Sequence, residues 1–303
     1  APNVFHELGA ETVGVGDTPN GLNINHEVGA TAPEALRRKV IETRADCGIA
    51  LDGDGDRLVM VDAAGRVYDG DQLLYVIARQ RARVHALPGV VGTLMSNLGF
   101  EHALGRLGIA LGRAKVGDRY VLEMMQDKGW QFGGENSGHI ICLDRHSTGD
   151  GIIAALQVLA ALRSTNETLA EACADLQLYP QRLINVRMPA GFDWQADTSI
   201  QAGVKSAEAA LDGSGRILLR PSGTEPLLRV MVEGREAVLV NGQIGGFYNF
   251  VAFVAAFVPA RRAARIAPTE ALREDGYPVL AIERSADDRE CVITTRRPAP
   301  RDP

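Results

Sequence analysis

The stretch from Asp52 to Arg57, which reads DGDGDR, constrains the fold of this chain more than any other. Short apolar runs flank it on both sides, CGIAL over residues 47–51 and LVMV over residues 58–61. Apolar runs around a Gly/Asp cluster predict a strand, a tight loop and a second strand. The glycines permit backbone angles that other residues avoid, so the alternate carboxylates can converge.

The three carboxylates of this loop, Asp52, Asp54 and Asp56, predict a magnesium site. Converging unpaired carboxylates repel each other, and a hard divalent cation with oxygen ligands removes that repulsion. An EF-hand loop needs a glutamate at its twelfth position, and this chain has Ala63 there. The alternative interpretation is a solvated acidic turn that binds no ion.

The composition is that of an ordinary globular protein, because 46% of the 303 residues are hydrophobic and 23% are charged. This length allows two or three domains. A net charge of -6, without a basic stripe, argues against nucleic-acid binding. The four cysteines are scattered without CxxC spacing, and the first residues carry no signal-peptide pattern. We therefore expect free thiols in a reducing compartment and a cytoplasmic protein.

A Gly-rich polar cluster, GGENSGH over residues 133–139, lies within a region of alternating predicted strands and helices. Its small, hydrogen-bonding residues are typical of a site for sugar hydroxyls. The alternative interpretation is a plain hairpin turn. The same region ends in a strongly apolar helix, predicted over residues 152–162.

A third polar loop, RPSGTEP over residues 220–226, lies between two predicted strands, and the second strand carries Arg229. Guanidinium groups match phosphate oxygens bidentately, and backbone amides of a tight loop add fixed dipoles. This pattern predicts a phosphate site, with a solvated polar turn as the alternative. A metal, a sugar and a phosphate site together indicate phosphoryl transfer on a sugar phosphate.

The motifs DGDGDR, GENSGH and RPSGTEP occur here in the order found in the α-D-phosphohexomutases, which the chain resembles up to about residue 233. The resemblance implies an α/β fold of repeated mixed α/β domains plus a smaller α+β C-terminal phosphate-binding domain. It divides the chain into an incomplete metal-binding domain (1–70), a sugar-binding domain (71–182), a truncated phosphate-binding domain (183–236) and an atypical tail (237–303).

The same resemblance implies a role for the residues of each motif. The metal ligands would be Asp52, Asp54 and Asp56, which would hold Mg²⁺ beside a phosphoserine. The substrate-binding residues would be Glu135, Asn136, Ser137, Arg220, Ser222, Gly223, Thr224 and Arg229. The catalytic residues would be Lys115, His139 and Arg57. Among these, Lys115 and His139 would move protons at the attacking hydroxyl.

The reaction implied is the interconversion of glucosamine 6-phosphate and glucosamine 1-phosphate for amino-sugar and cell-wall precursor synthesis. It passes through a bisphosphate, and hexosamine or glucose 1,6-bisphosphate would be the activator. KVGDRYV over residues 115–121 and Asn136 favour this branch, because the phosphomannomutase/phosphoglucomutase branch more often has methionine at that position. That second branch is the alternative. The resemblance is also compatible with a homodimer.

Three features of the family pattern are expected to be missing from this sequence. No Ser-His-Asn-Pro phosphoserine motif occurs, and the first strand of the metal-binding domain is not found. The last helix of the phosphate-binding domain is also expected to be absent after Gly234. We therefore predict a fragment without turnover of its own, and a non-catalytic sugar-phosphate-binding remnant is the alternative function.

The tail departs from the family. Residues 237–260 carry no formal charge, and Arg261, Arg262 and Arg265 follow. This pattern makes 237–265 a candidate for membrane contact, and residues 259–275 resemble the end of an ABC transporter permease subunit. A frame-disrupted tail or a helix packed on a domain is the alternative. From Gly276 onward we predict disorder.

Overall fold

The computed structural model describes residues 1–188, 193–222, 225 and 227–246, together with the backbone of strands 279–284 and 291–296. The chain forms two compact units, Ala1–Leu178 and Tyr179–Pro303. The division into three domains and a tail stays a prediction. Helices α1–α8 are Pro2–Glu7, Glu34–Thr43, Gly70–Val84, Leu98–Arg106, Asp118–Lys128, Gly151–Thr165, Leu169–Ala172 and Thr198–Leu211. Strands β1–β12 are Cys47–Leu51, Leu58–Asp62, Val67–Tyr68, Gly89–Thr93, Ala110–Ala114, Phe132–Gly134, Ile140–Cys142, Gln181–Arg187, Gly215–Pro221, Leu227–Gly234, Val279–Arg284 and Cys291–Arg296.

The first sheet has the strand order β1-β2-β3 and carries the acidic loop at one end. β1 and β2 pair antiparallel with Leu51 opposite Leu58, so residues 52–57 connect them. The predicted strand, loop and second strand are therefore confirmed. α2 packs closely on β1, because a Cβ atom on Gly48 would lie 2.6 Å from the Val40 side chain.

The second sheet of this unit has the order β5-β4-β6-β7. β4 pairs parallel with β5 and β6, and β7 returns antiparallel to β6. Parallel neighbours require crossover connections, which α4 and α5 supply. The wholly buried Ile77 of α3 and Val158 of α6 belong to one core. Cys47, Cys142 and Cys173 are free thiols, as predicted.

The sheet of the second unit is antiparallel, with β10 between β8 and β9. Its core includes Val230 of β10 and Leu211 of α8. Residues 237–246 are helical, and the buried Val240 packs into the same core with Ile244 beside it. The expectation that no helix follows Gly234 is therefore wrong, because apolar residues four positions apart give this stretch a face that the sheet can bury.

Two further sequence predictions differ from the structure. The sequence of residues 12–15, TVGV, predicts a short strand, whereas the structure places these residues in an irregular segment that pairs with no described strand. In the tail, where disorder was predicted, β11 and β12 pair antiparallel with Ile282 opposite Ile293. Both strands contain the β-branched and aliphatic residues that favour extended pairing.

The predicted membrane segment and the stretch that resembles a permease subunit lie largely outside the described residues. Within the part of the chain that the structure describes, no helix is both long enough and apolar enough to cross a membrane.

Candidate functional site

The acidic loop brings its three carboxylates together at the end of the β1–β2 hairpin. One ligand oxygen from each of Asp52, Asp54 and Asp56 lies within 4.8 Å of the other two. The turn closes with the Gly55 N–H donating to the Asp52 carbonyl at 3.2 Å. Gly55 has a φ of +75°, a conformation that residues with a Cβ atom seldom adopt. The glycine spacing therefore produces the convergence that the sequence predicts.

Arg57 contacts both carboxylate oxygens of Asp52. The Asp52 Oδ1 accepts from the Arg57 N–H at 3.0 Å, and the Asp52 Oδ2 lies 3.5 Å from the Arg57 Nε. The Asp52 side chain is only 7% exposed, whereas that of Arg57 is 44% exposed. Arg57 therefore fixes a carboxylate while it keeps much of its guanidinium group in reach of a ligand.

Asp56 faces the Gly-rich cluster of residues 133–139, which we call the sugar loop. Its Oδ2 lies 2.9 Å from the Nδ1 of His139, and its buried Oδ1 has no hydrogen-bond partner among the described residues. A buried carboxylate oxygen without a partner is unfavourable unless a proton donor or a cation reaches it. The donor set of hard oxygens and this unpartnered oxygen both fit Mg²⁺.

His139 lies behind the acidic loop. The residue is 4% exposed, and its Nε2 is buried without a hydrogen-bond partner among the described residues. The backbones of Arg57 and His139 pair in an isolated antiparallel β-bridge. Next to it, the Leu58 N–H donates to the Gly138 carbonyl at 3.0 Å. The structure therefore joins the loops at 52–57 and 134–139 directly.

The sugar loop also rests on the start of α3. The Gly70 N–H donates to the Asn136 carbonyl at 3.1 Å. A Cβ atom on Gly70 would lie 2.0 Å from the Glu135 carbonyl oxygen, so this approach requires glycine. The Asp69 side chain caps α3 by accepting from the Gln72 N–H at 3.1 Å. These backbone contacts hold residues 135 and 136 of the loop against the start of α3.

Glu135 ties the sugar loop to the loop after β5. Its Oε1 accepts from the Gly117 N–H at 2.9 Å, and the Ser137 hydroxyl donates to its Oε2 at 3.4 Å. Lys115, two residues before Gly117, is exposed, with its Nζ 5.6 Å from the ring centroid of Tyr120. The first unit therefore groups the predicted metal ligands with Arg57, Lys115 and the residues of the sugar loop.

Sequence reasoning did not find Asp71, a buried acid close to this group. Its Oδ2 accepts from the Asn97 N–H at 2.7 Å. Burial raises the pKa of Asp71 to about 8, and the charge of nearby Asp69 adds to the shift. Burial also raises the pKa of Asp69, to about 6. The signal available in the sequence was the capping pattern around Asp69, which places Asp71 in the first turn of a helix.

The predicted phosphate loop belongs to the second unit. Arg220 on β9 and Arg229 on β10 are direct cross-strand partners. Burial, followed by the positive charge of Arg229, lowers the pKa of the Arg220 guanidinium. The Ser222 N–H donates to the Leu227 carbonyl at 2.8 Å. Gly223 and Thr224 lie outside the described residues. This arrangement brings two like charges together, as an anion site requires.

The sheets of the two units define a mixed α/β protein with a separate small antiparallel sheet. The profile of "Phosphoglucomutase/phosphomannomutase, alpha/beta/alpha domain III" matches residues 69–179. The profile of the "Phosphoglucomutase/phosphomannomutase, C-terminal domain" matches residues 183–244. The chain belongs to the phosphoglucomutase/phosphomannomutase family, the α-D-phosphohexomutases, which confirms the predicted family and fold class.

Two curated relatives within this family carry the same name. The "Phosphoglucosamine mutase" of Azoarcus sp. (strain BH72) is 68% identical over 251 residues, which are 83% of this chain and 56% of that protein. The "Phosphoglucosamine mutase" of Dechloromonas aromatica (strain RCB) is 64% identical over 241 residues, 80% of this chain and 54% of that protein. The chain spans about half the length of the curated relatives that it matches.

Solved structures share the fold at lower identity. A phosphoglucomutase/phosphomannomutase family protein from Burkholderia thailandensis has a TM-score of 0.67 at 21% identity and covers 82% of this chain and 56% of its own. The N-acetylphosphoglucosamine mutase of Aspergillus fumigatus, in complex with GlcNAc-6P and magnesium, has a TM-score of 0.62 at 22% identity, with coverages of 75% and 57%. At these identities the likeness concerns the fold.

Proposed function

We propose that this chain supplies metal-, sugar- and phosphate-binding parts of a hexosamine-phosphate mutase. That activity interconverts glucosamine 6-phosphate and glucosamine 1-phosphate through a bisphosphate. The observation that carries the proposal is the grouping of the Asp52, Asp54 and Asp56 oxygens within 4.8 Å. It gains support from relatives up to 68% identical that are named phosphoglucosamine mutase.

In this proposal the three aspartates hold Mg²⁺, which when bound neutralises negative charge on phosphoryl oxygens. Asp52 is oriented by Arg57 and Asp56 by His139, so two ligands are fixed before any ion binds. The exposed part of the Arg57 guanidinium adds positive charge at the same place. These residues orient and attract an anionic substrate.

Glu135 and Ser137 would bind sugar hydroxyls. Each Glu135 oxygen has one contact, with Gly117 or with Ser137, and a carboxylate oxygen can accept a further hydrogen bond. Lys115 would move a proton at the attacking hydroxyl, because its ammonium group is exposed beside the loop that contacts Glu135. The clamp arginines, Arg220 and Arg229, would bind the phosphate group that does not react.

The metal part of the proposal is tested with Asp54→Asn. Asp54 is the exposed member of the three, so its substitution should leave the fold intact. The affinity for Mg²⁺ or Mn²⁺ should fall about tenfold or more, since even residues that only orient metal ligands contribute such factors. Calorimetry measures the affinity. Asp127→Asn, which removes the same charge from an exposed site on α5, is the matched control.

The sugar part is tested by titrating the chain with glucosamine 6-phosphate, glucosamine, glucose 6-phosphate and mannose 6-phosphate in Mg²⁺. We expect the tightest binding for glucosamine 6-phosphate. Preferential binding of mannose 6-phosphate or glucose 6-phosphate would overturn the choice of sugar and favour the phosphomannomutase/phosphoglucomutase branch.

Equal metal affinity in Asp54→Asn and the parent would show that the acidic loop is only a turn.

A further inference from the structure

The sheet of the second unit presents side chains in rows across its three strands. Residues that are partners in a ladder project to the same face, and alternate residues project to opposite faces. Leu228, Val230 and Val232 of β10 project into the core that includes α8. The intervening residues Arg229 and Glu233 therefore project from the opposite face of β10.

One polar row on this opposite face is balanced in charge. Glu233 pairs with Gln181 on β8 and with Arg216 on β9. The Gln181 Nε2 donates to one Glu233 carboxylate oxygen at 3.1 Å, and the Arg216 Nε donates to the other. One amide, one carboxylate and one guanidinium thus satisfy each other. This row, which we call the Glu233 row, needs no ligand.

The second polar row also begins with an amide side chain on β8 and ends with an arginine on β9, but it lacks an acid. Arg229 pairs with Asn185 on β8 and with Arg220 on β9. The Oδ1 of Asn185 and the Nε atoms of both arginines are buried, and none has a hydrogen-bond partner among the described residues. Like charges directly opposite each other in a sheet are destabilising. This row, which we call the Arg229 row, is therefore complete only with an anion.

We propose that Asn185 is a positioning residue of the phosphate clamp, whose Oδ1 accepts the Nε–H of Arg229 when phosphate is bound. The inference rests on the proposed function of the clamp. An amide oxygen accepts a hydrogen bond, and a guanidinium Nε–H donates one. The two residues are ladder partners on one face, and each holds a buried unpartnered atom of the complementary kind.

The chemistry explains why an amide suits this position. A contact from Asn185 to the Nε–H leaves the two terminal nitrogens of Arg229 to face a phosphate as a fork. An aspartate there would also accept the Nε–H, but its charge would neutralise the arginine and repel the phosphate. An apolar residue would leave the Nε–H without an acceptor. Only the neutral amide orients the arginine and preserves its charge.

The experiment measures binding of glucosamine 6-phosphate and of inorganic phosphate to the full chain by calorimetry. The variants are Asn185→Leu, Asn185→Asp, Arg220→Ala and the control Gln181→Leu. Gln181 is the amide of the Glu233 row on the same strand and face. NMR spectra of the arginine Nε–H groups provide a second readout, because an ordered Arg229 Nε–H should shift on phosphate addition only where an acceptor is present. Circular dichroism checks that each variant is folded.

We expect Asn185→Leu to weaken phosphate binding about tenfold, the effect of one hydrogen bond to a charged group. Asn185→Asp should weaken it further, and Gln181→Leu should bind like the parent. The inference would be overturned if both Asn185 variants bound phosphate as tightly as the parent and showed the same Arg229 Nε–H shift as the parent on phosphate addition. If Arg220→Ala also binds like the parent, the clamp itself is refuted. A loss in Arg220→Ala alone refutes only the role of Asn185.

Discussion

Gly149 offers the sharpest test of how the acidic loop is supported. A Cβ atom at this position would lie 2.3 Å from the Nε2 and 2.4 Å from the Cε1 of His139. The imidazole cannot simply rotate away, because it is buried and its Nδ1 contacts Asp56 at 2.9 Å. The backbone of Gly149 pairs with that of Ile141 in an isolated β-bridge, which restricts movement of Gly149 away from the ring. Gly149→Ala must therefore push His139 against or away from Asp56.

The expected cost follows from this geometry. Adding a methyl group to a packed interior typically costs about 1–3 kcal/mol in the free energy of unfolding. Displacing His139 also removes the group that orients Asp56, so Mn²⁺ affinity should fall about 10–100-fold, as it does when other outer partners of metal ligands are lost. Urea unfolding measures the first effect and calorimetry the second.

Two comparisons isolate the contact between Gly149 and His139. Gly105 lies in α4, and a Cβ atom on it would meet nothing within 4 Å, so Gly105→Ala should stabilise the chain by about 0.5–1 kcal/mol. In a His139→Ala background the ring is gone, and Gly149→Ala should then cost less than about 0.5 kcal/mol. An equal cost of Gly149→Ala in both backgrounds would refute the contact. No cost in the parent would refute it too.

The remaining predictions concern pH and are measured by urea unfolding across a pH series. Hydrogen bonds from Arg79 lower the pKa of the Glu167 carboxyl to about 2. The ionised carboxylate therefore adds to the free energy of unfolding above the unfolded-state pKa, and this stabilisation is lost as pH falls toward about 2. Glu167→Gln should flatten that loss. Burial raises the pKa of Asp71 to about 8, so stability is lost as pH rises from about 4 to about 8. Asp71→Asn should remove that loss, and a pH profile parallel to that of the parent would contradict either prediction.

The sequence was most informative where a pattern is local. The DGDGDR loop lies between two apolar runs, and each run of this length can pair only as a short strand, so the hairpin and its convergent carboxylates follow. α6 was likewise predicted, over residues 152–162, from its strongly apolar sequence. The stretch at 12–15 also looked like a strand, but a strand depends on a neighbour that sequence spacing does not identify.

Contacts between distant residues were beyond the sequence. His139 and Asp56 are 83 positions apart, and their contact depends on how the two loops pack. Sequence resemblance assigned His139 a proton-moving role, whereas the structure buries its Nε2 and directs its Nδ1 to Asp56. Asn185 has no motif of its own, and its position beside Arg229 follows only from the register of β8 against β10. Register is set by packing of the whole sheet.

The acidic loop combines two demands that usually conflict, since three close carboxylates must be stable without an ion and remain able to bind one. Arg57 and the backbone balance Asp52, and His139 contacts Asp56, so the two outer carboxylates are supported by the protein. Asp54 is exposed, and solvent screens its charge. Because the outer pair makes these contacts with the protein, substitutions there should change stability and metal affinity together. Asp54 is consequently the position at which metal affinity can be changed while the fold is preserved.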